Sequence, residues 1–459
     1  MTTTTADTLT RLPLQTAEAG QQADRRWDID WLRVLVVVGM LVPFHAFRVF
    51  DTRDPFYVKN NAQSTALNWY LILGDTIGMQ LLFMLAGAAA WYSLRHASAS
   101  RFAWLRLKRL LVPLLFGLVV VIPPQLYYAA RFHGFSGSFR DWLPNYFLLE
   151  PEYLGAWDGV GWTPAHLWFI LYLLVISLVA LPILILLRTA PGRRLVGLAA
   201  AAGVPGVLLL VPTALAAALY LMLEFEPNVL YYFVWFLAGY AMLCDSRFEQ
   251  IIGRVKSPAL LLGVLGLVLN ILWQSDAVAA LALIPEWLGE GTRKTLVAWL
   301  FIVGLLGYAR AYLQQPPRSR PTLVTLAYLG EASYPFYILH QTVLVILGYY
   351  VVQWSLATGV KYLLLAALTY LLSFAIYDVF VHRTNLTRFL FGMRPRPRED
   401  RTLAIVVVVT ANCSLLFIRA SVPWHEISPH YRFFCHPLNG RYQLGRVNIF
   451  DQVAAGACL

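Results

Sequence analysis

A histidine stands inside an apolar run of membrane length, in Asp28-Ile-Asp30-Trp-Leu-Arg33 followed after eleven residues by His45-Ala-Phe-Arg48. Ionisable side chains in hydrocarbon are costly unless they face protein or water, so His45 points to chemistry rather than packing. A neutral imidazole can take a proton from a hydroxyl near neutral pH, which makes His45 a candidate general base. Arg48 is three residues on and shares its face. Pro43 is placed to kink the helix. A histidine bonded to a main-chain carbonyl is the competing reading.

Three further groups accompany it. Arg106-Leu-Lys-Arg109 precedes the third apolar run, and the spacing puts two guanidiniums on one helical face, able to grip phosphate oxygens bidentately. Ordinary positive-inside charge would look the same. Gly330-Glu331-Ala-Ser333-Tyr334-Pro-Phe-Tyr337-Ile-Leu-His340-Gln341 crowds polar groups into the ninth run. Glu331, Tyr334 and Gln341 fall near one face, with Ser333, Tyr337 and His340 near an adjacent one. Such groups need neighbours or water, which implies a polar cavity, although Ser333 and Tyr337 could serve as interhelical glue. His166-Leu-Trp168 opens the fourth run, so that His45, His166 and His340 all fall toward one side of the slab.

The elements that must position these residues follow from composition. Of 459 residues 59% are hydrophobic and 13% charged, against about 25% charged in ordinary soluble domains. Apolar runs near 20 residues recur at 31–50, 69–91, 110–130, 166–187, 195–219, 229–244, 257–275, 295–313, 326–352 and 361–382, each long enough to cross a core of about 30 Å. The expected fold is an all-α polytopic membrane bundle of about ten transmembrane helices.

The net charge of +11 is a topology signal rather than a nucleic-acid footprint. Lysines and arginines concentrate in alternate connections, around 25–26, 95–109, 188–194, 247–256, 310–320 and 383–398. That bias places the N-terminus and residue 393 in the cytoplasm and the chain in the inner (plasma) membrane. It predicts the outside for residue 60 and the inside for residue 98. Residues 1–25 lack an apolar signal region and read as a disordered tail. Residues 26–393 form the membrane domain, and 394–459 an atypical extension whose apolar stretch 402–418 sits near the lower limit for a span.

Cys244, Cys413, Cys435 and Cys458 have no paired spacing, so neither a disulfide framework nor a metal site is expected. Phosphate-loop, dinucleotide and zinc-protease motifs are absent from the sequence. Gly74-x-x-x-Gly78 could be a packing face. The outer segment 131–165 is aromatic and carries Asp141, Glu150, Glu152 and Asp158. Such a surface suits carbohydrate or an interfacial anchor.

Taken in order, Asp30-x-x-Arg33 with His45, Arg106-x-x-Arg109, His166-Leu-Trp168 and Ser333-Tyr-x-x-Tyr337-x-x-His340 resemble acyltransferase family three of integral membrane O-acyltransferases. Within it, Pro43-Phe-His45-x-x-Arg48 and the long outer loop are similar to glucan biosynthesis protein C-like members. The resemblance covers about 28–393 and implies transfer of an acyl group, as in O-acetylation, from cytoplasmic acyl-CoA to a hydroxyl of an extracytoplasmic glycan. It implies no permanently bound cofactor. The arginine pair would hold coenzyme A phosphates, His45 would be the base, and Tyr337, Arg48 or His340 would meet the oxyanion. Asp30 would orient Arg33. Asp51, six residues past His45, does not form a His-x4-Asp dyad with it. Twelve residues from Arg33 to His45 correspond to roughly 18 Å of helix, a gap that an extended pantetheine arm must cross. A transporter of a glycan or lipid-linked substrate also needs ionisable groups at mid-membrane, but no internal repeat supports one.

Overall fold

A computed structural model describes residues 25–53, 55–147, 161–205, 228–274 and 290–395, with isolated positions between 206 and 216. The tails, Glu150, Glu152, Asp158 and the stretch 402–418 lie outside the described residues. Within them the chain is helical, with no strand.

Helix α1, Trp27–Arg48, carries His45, and α2, Asn68–His96, follows a looped segment. Helix α3 is Ala99–Phe132, and α4, Phe139–Tyr146, lies after it. A bent pair comes next, α5 (Ala165–Val179) and α6 (Leu181–Arg188), set at 46°. Pro182 at the start of α6 lacks the N–H that would continue the ladder, which accounts for the break. Then come α7 (Ala190–Ala201), α8 (Val229–Cys244), α9 (Ser246–Gln274), α10 (Glu290–Leu313), α11 (Arg320–Val351), α12 (Thr358–Val381) and the short α13 (Asn385–Leu390).

By length and composition six of these helices can cross a membrane, or seven if the bent pair is one span. The chain is therefore a polytopic membrane protein. The count of ten is not reached among the described residues. Helix α8 has only 16 residues, and part of 195–219 is outside the described residues. The 32-residue α11 is long enough, but the polar groups that mark it as functional also keep it out of the apolar set.

Local sequence sets the helix starts. Asn228 caps α8 by accepting from the Tyr231 N–H at 2.9 Å, and Ser319 and Thr384 do the same for α11 and α13. Helices α2 and α8 pack backbone to backbone. A Cβ at Gly87 would collide with the Phe236 carbonyl and one at Gly239 with the Met84 carbonyl, so both positions need glycine. Gly74 yields instead to the Phe44 ring, one residue before His45.

Four stretches widen into π-turns: Leu35–Met40 in α1, Leu107–Leu111 and Gly117–Val121 in α3, and Tyr377–Val381 in α12. Wide turns disturb the regular ladder, and in a dry bundle the displaced carbonyls need other donors. Hydroxyls from neighbouring elements supply them. Tyr370 donates to the Val38 carbonyl (2.6 Å), Tyr70 to Met40 (3.0 Å) and Tyr334 to Arg109 (3.1 Å). Tyr146 donates to Leu118 (2.8 Å) and Thr342 to Val121 (3.0 Å). The irregular segments are thus stitched to the rest of the bundle, and three of them border the candidate site.

Candidate active site

Three spans meet at the histidines. His45 comes from the last turns of α1, His340 from the middle of α11, and His166 from the tight turn Ala165–Leu167 that opens α5. His340 Nε2 lies 3.2 Å from His45 Nδ1, with ring centroids 5.1 Å apart. The His166 ring stands edge-on to His340 at 5.3 Å. Span counting put these residues at one level of the slab; the fold makes them neighbours.

Main-chain carbonyls fix the proton on each neutral ring. His340 Nδ1 is 2.7 Å from the Tyr337 carbonyl, which can only accept, so Nδ1 carries the hydrogen and Nε2 is a lone pair. That lone pair faces His45 Nδ1, which also lies 3.0 Å from the Leu41 carbonyl. Both partners of His45 Nδ1 are acceptors, so His45 carries its hydrogen there, and its Nε2 is left as the basic nitrogen. His166 Nε2 donates to the Ile338 carbonyl at 2.9 Å, leaving a buried Nδ1 lone pair without a partner. His340 and His166 are buried, whereas His45 is partly exposed. Of the rings with an unpaired nitrogen, His45 is the one that keeps some exposure.

The turn holding His166 is strained. Ala165 takes φ +44°, a region costing of order 1 kcal/mol or more for a residue with a Cβ. It is the one non-glycine at positive φ among the described residues. The Tyr337 hydroxyl donates to the His166 carbonyl and ties this turn to α11.

Aromatic rings and a cation form the wall around His45. Phe44 stands edge-on at 5.1 Å and Phe56 stacks at 6.4 Å. The Arg48 guanidinium lies 5.9 Å from the Phe44 ring centre and 6.0 Å from that of Phe56. Phe56 belongs to the segment between α1 and α2, which is pinned by buried polar contacts. Lys59 pairs with the fully buried Asp51 at 3.3 Å, and Lys361 of α12 reaches Asn60 at 3.0 Å. Asp51 is thus committed to Lys59 and to the Arg53 N–H at 2.7 Å, a role in holding this cover.

Sequence reasoning passed over Tyr57, Gln125 and Thr342. Gln125 is fully buried in α3, and Thr342 donates to its Oε1 at 3.2 Å. Tyr57 interacts with Gln125 and with Arg48. An amide directly after Pro123-Pro124 in an apolar run was the available signal for Gln125. Tyr57, in a connecting segment, offered none.

The other candidate residues separate from the histidines. Ser333 donates to the Leu329 carbonyl of its own helix at 2.5 Å. Glu331 pairs with Arg388 at 2.6 Å and faces His382 at 3.7 Å. Asp30 holds both Arg33 (2.9 Å) and Arg25 (2.8 Å), and Arg33 approaches Gly330 of α11. Arg106 lies over Phe102 at 5.0 Å, just before the wide turn that contains Arg109.

Tyr334 binds the Arg109 carbonyl and His340 meets His45, and these two residues are six positions apart on α11. Six residues correspond to about 9 Å along a helix. Helix α11 thus touches the main chain of the arginine segment and the histidine pair within two turns of each other.

Among the described residues no cluster of histidine, cysteine or carboxylate side chains could hold a metal ion. Each histidine turns one nitrogen onto a main-chain carbonyl instead of toward a shared point.

A family model described as an acyltransferase domain matches residues 26–378, which span α1 to most of α12. No curated protein and no solved structure matches the chain.

Proposed function

Because the chain belongs to acyltransferase family 3, we propose that it moves an acyl group from cytoplasmic acyl-CoA to a hydroxyl of an extracytoplasmic glycan or glycoside, in the inner membrane. The observation that carries this reading is the hydrogen-bond chain Tyr337 carbonyl–His340–His45, which places the hydrogen on His45 Nδ1 and leaves its Nε2 as the unprotonated nitrogen.

In this reaction His45 Nε2 takes the proton of the acceptor hydroxyl as its oxygen attacks the thioester carbonyl. The imidazolium so formed keeps its Nδ1–H on His340 Nε2, which makes His340 the positioning residue. The carbon–sulfur bond then breaks and the ester forms. The thiolate leaves with the proton that His45 held, so coenzyme A departs as a thiol and the base is regenerated. The Tyr337 hydroxyl and the single N–H of His340 are engaged with carbonyls, which leaves Arg48 as the candidate oxyanion donor. Phe44, partly exposed beside His45, offers an apolar ring of the kind that suits a sugar. Arg106 and Arg109 are the candidate holders of the donor's phosphates.

The test is mass spectrometry of envelope glycans from cells carrying wild-type protein or His45→Ala, with membrane insertion verified. Acyl esters are expected on wild-type glycans and lost in the variant. Esters unchanged in the variant would overturn the reading, and loss of glycan export with esters intact would favour a transporter.

A further inference from the structure

Arginines are not treated alike in this fold. Arg26, Arg33, Arg53, Arg247, Arg310 and Arg388 each pair with a carboxylate within 4.0 Å. Arg106, Arg109 and Arg394 have no such partner among the described residues, a property they share with exposed arginines such as Arg95, Arg101 and Arg188. They also share one end of α3: Arg106 and Arg109 are three residues apart, and the turn that leads to Arg394 packs at Gly392 against the Arg109 carbonyl. Arg106 is partly buried and Arg109 and Arg394 are exposed, so a bound anion would relieve the repulsion among them.

The chain invests specific contacts in bringing Arg394 there. Helix α13 ends with Gly392 N–H on the Phe389 carbonyl (3.0 Å) and Met393 N–H on the Arg388 carbonyl (2.8 Å), a terminus that needs a left-handed residue. Gly392 supplies it, at φ +70°. A Cβ at this position would stand 2.6 Å from the Arg109 carbonyl and 2.8 Å from the Tyr334 ring, so the backbone lies directly against the wide turn of α3. Arg388 Nε then binds the Arg394 carbonyl at 2.8 Å, while its Nη2 is anchored by Glu331 of α11. Two helices thus hold the strap in place.

We propose that Arg394, delivered by the strap 385–394, joins Arg106 and Arg109 as the third cation of a site for a phosphate-bearing ligand, the nucleotide end of the acyl-CoA donor. Gly392, Arg388 and Glu331 are positioning residues. The inference rests on the acyltransferase reading, but the strap lies beyond the family match, which stops at residue 378. Anionic lipid headgroups share the phosphate chemistry and are separated from the donor by the test.

The experiment uses full-length protein in phosphatidylcholine nanodiscs, with coenzyme A and phosphate-free pantetheine as probes. Arg394→Ala is expected to weaken coenzyme A binding about 3- to 10-fold and leave pantetheine unchanged. Arg394→Lys should keep part of the affinity as a point charge. Gly392→Ala should weaken coenzyme A selectively without removing a cation. Equal affinity of wild-type and Arg394→Ala for coenzyme A overturns the proposal, as does equal loss for both probes. It is also overturned if Arg394→Ala spares coenzyme A but removes thermal stabilisation by phosphatidylglycerol. Wild-type protein that binds no coenzyme A defeats both this proposal and the donor assignment beneath it, whereas intact wild-type binding with an unaffected variant defeats this one alone.

Discussion

His340 Nε2 accepts the Nδ1–H of His45 across 3.2 Å, joining residues 295 positions apart in the chain. The contact makes a buried and a partly exposed histidine into an ordered pair. A carbonyl one turn back on α11 decides the tautomer of His340, and His340 together with the Leu41 carbonyl decides that of His45. Catalytic triads use a carboxylate for the orienting role; here a neutral imidazole occupies that position.

Removing the orienting acceptor should therefore damage turnover more than binding. His340→Ala is expected to lower kcat about 10²-fold with little change in the KM for acyl-CoA. His340→Gln should recover part of the rate, because an amide oxygen can accept the same N–H. Steady-state kinetics on purified protein check this; equal rates in the two variants would refute it.

The tyrosine stitches make a stability prediction. Tyr370→Phe leaves the Val38 carbonyl without its hydroxyl donor inside the bundle. A loss of about 1 kcal/mol is expected, in line with interhelical hydrogen bonds in membranes. Thermal unfolding in detergent reads it as a lower Tm.

Glycine at the α2–α8 crossing predicts a steeper penalty. Gly239→Ala must push its Cβ into the Met84 carbonyl and separate the two helices. Overpacking of this kind costs about 1–3 kcal/mol, and Gly239→Leu should fail to accumulate in the membrane. Surface expression and Tm of the two variants measure the effect.

Outside the spans, α4 carries a pH-dependent cap. The Ser138 hydroxyl and N–H both donate to the Asp141 carboxylate, at 2.6 Å and 3.0 Å, and hold its pKa below the ordinary value. A depressed folded pKa contributes stability above the unfolded value of about 3.9 and loses it as pH falls through the folded one. Pepsin should therefore spare 139–146 near pH 4 and cut it progressively toward pH 2. Ser138→Ala should shift that onset to higher pH.

The membrane orientation has its own measurement. A reporter fused after residue 60 should register outside and one after residue 98 inside. Identical signals from both fusions would overturn the orientation.

Much of the site was legible because hydrocarbon exposes anomalies. His45, His340 and Arg106 stand out as polar residues in or beside apolar runs, and order along the chain supplied the family resemblance. Their partners were not legible. Hydropathy reports which residues enter the slab, not which helices touch, so the meeting of His45 with His340 was invisible. Tyr337 looked equally fit for an oxyanion donor or for glue, and only the fold directs its hydroxyl to His166. Glu331 looked like part of a polar cavity, yet its acceptor is spent on Arg388. The π-turns left no trace in a pattern read at 3.6 residues per turn.

The wide turn Leu35–Met40 has a consequence for the alignment of α1. Twelve residues separate Arg33 from His45, about three and a third turns of regular helix, which would point the two side chains roughly 120° apart. A π-turn absorbs one extra residue per turn, so the stretch behaves like eleven residues, close to three whole turns. Arg33 and His45 then share one azimuth, and both reach α11, at Gly330 and His340. The turn acts as a vernier that corrects a one-residue surplus. Deleting a single residue within 35–40 should restore a plain α-helix with the pair still aligned, whereas adding one should rotate His45 away from its partner.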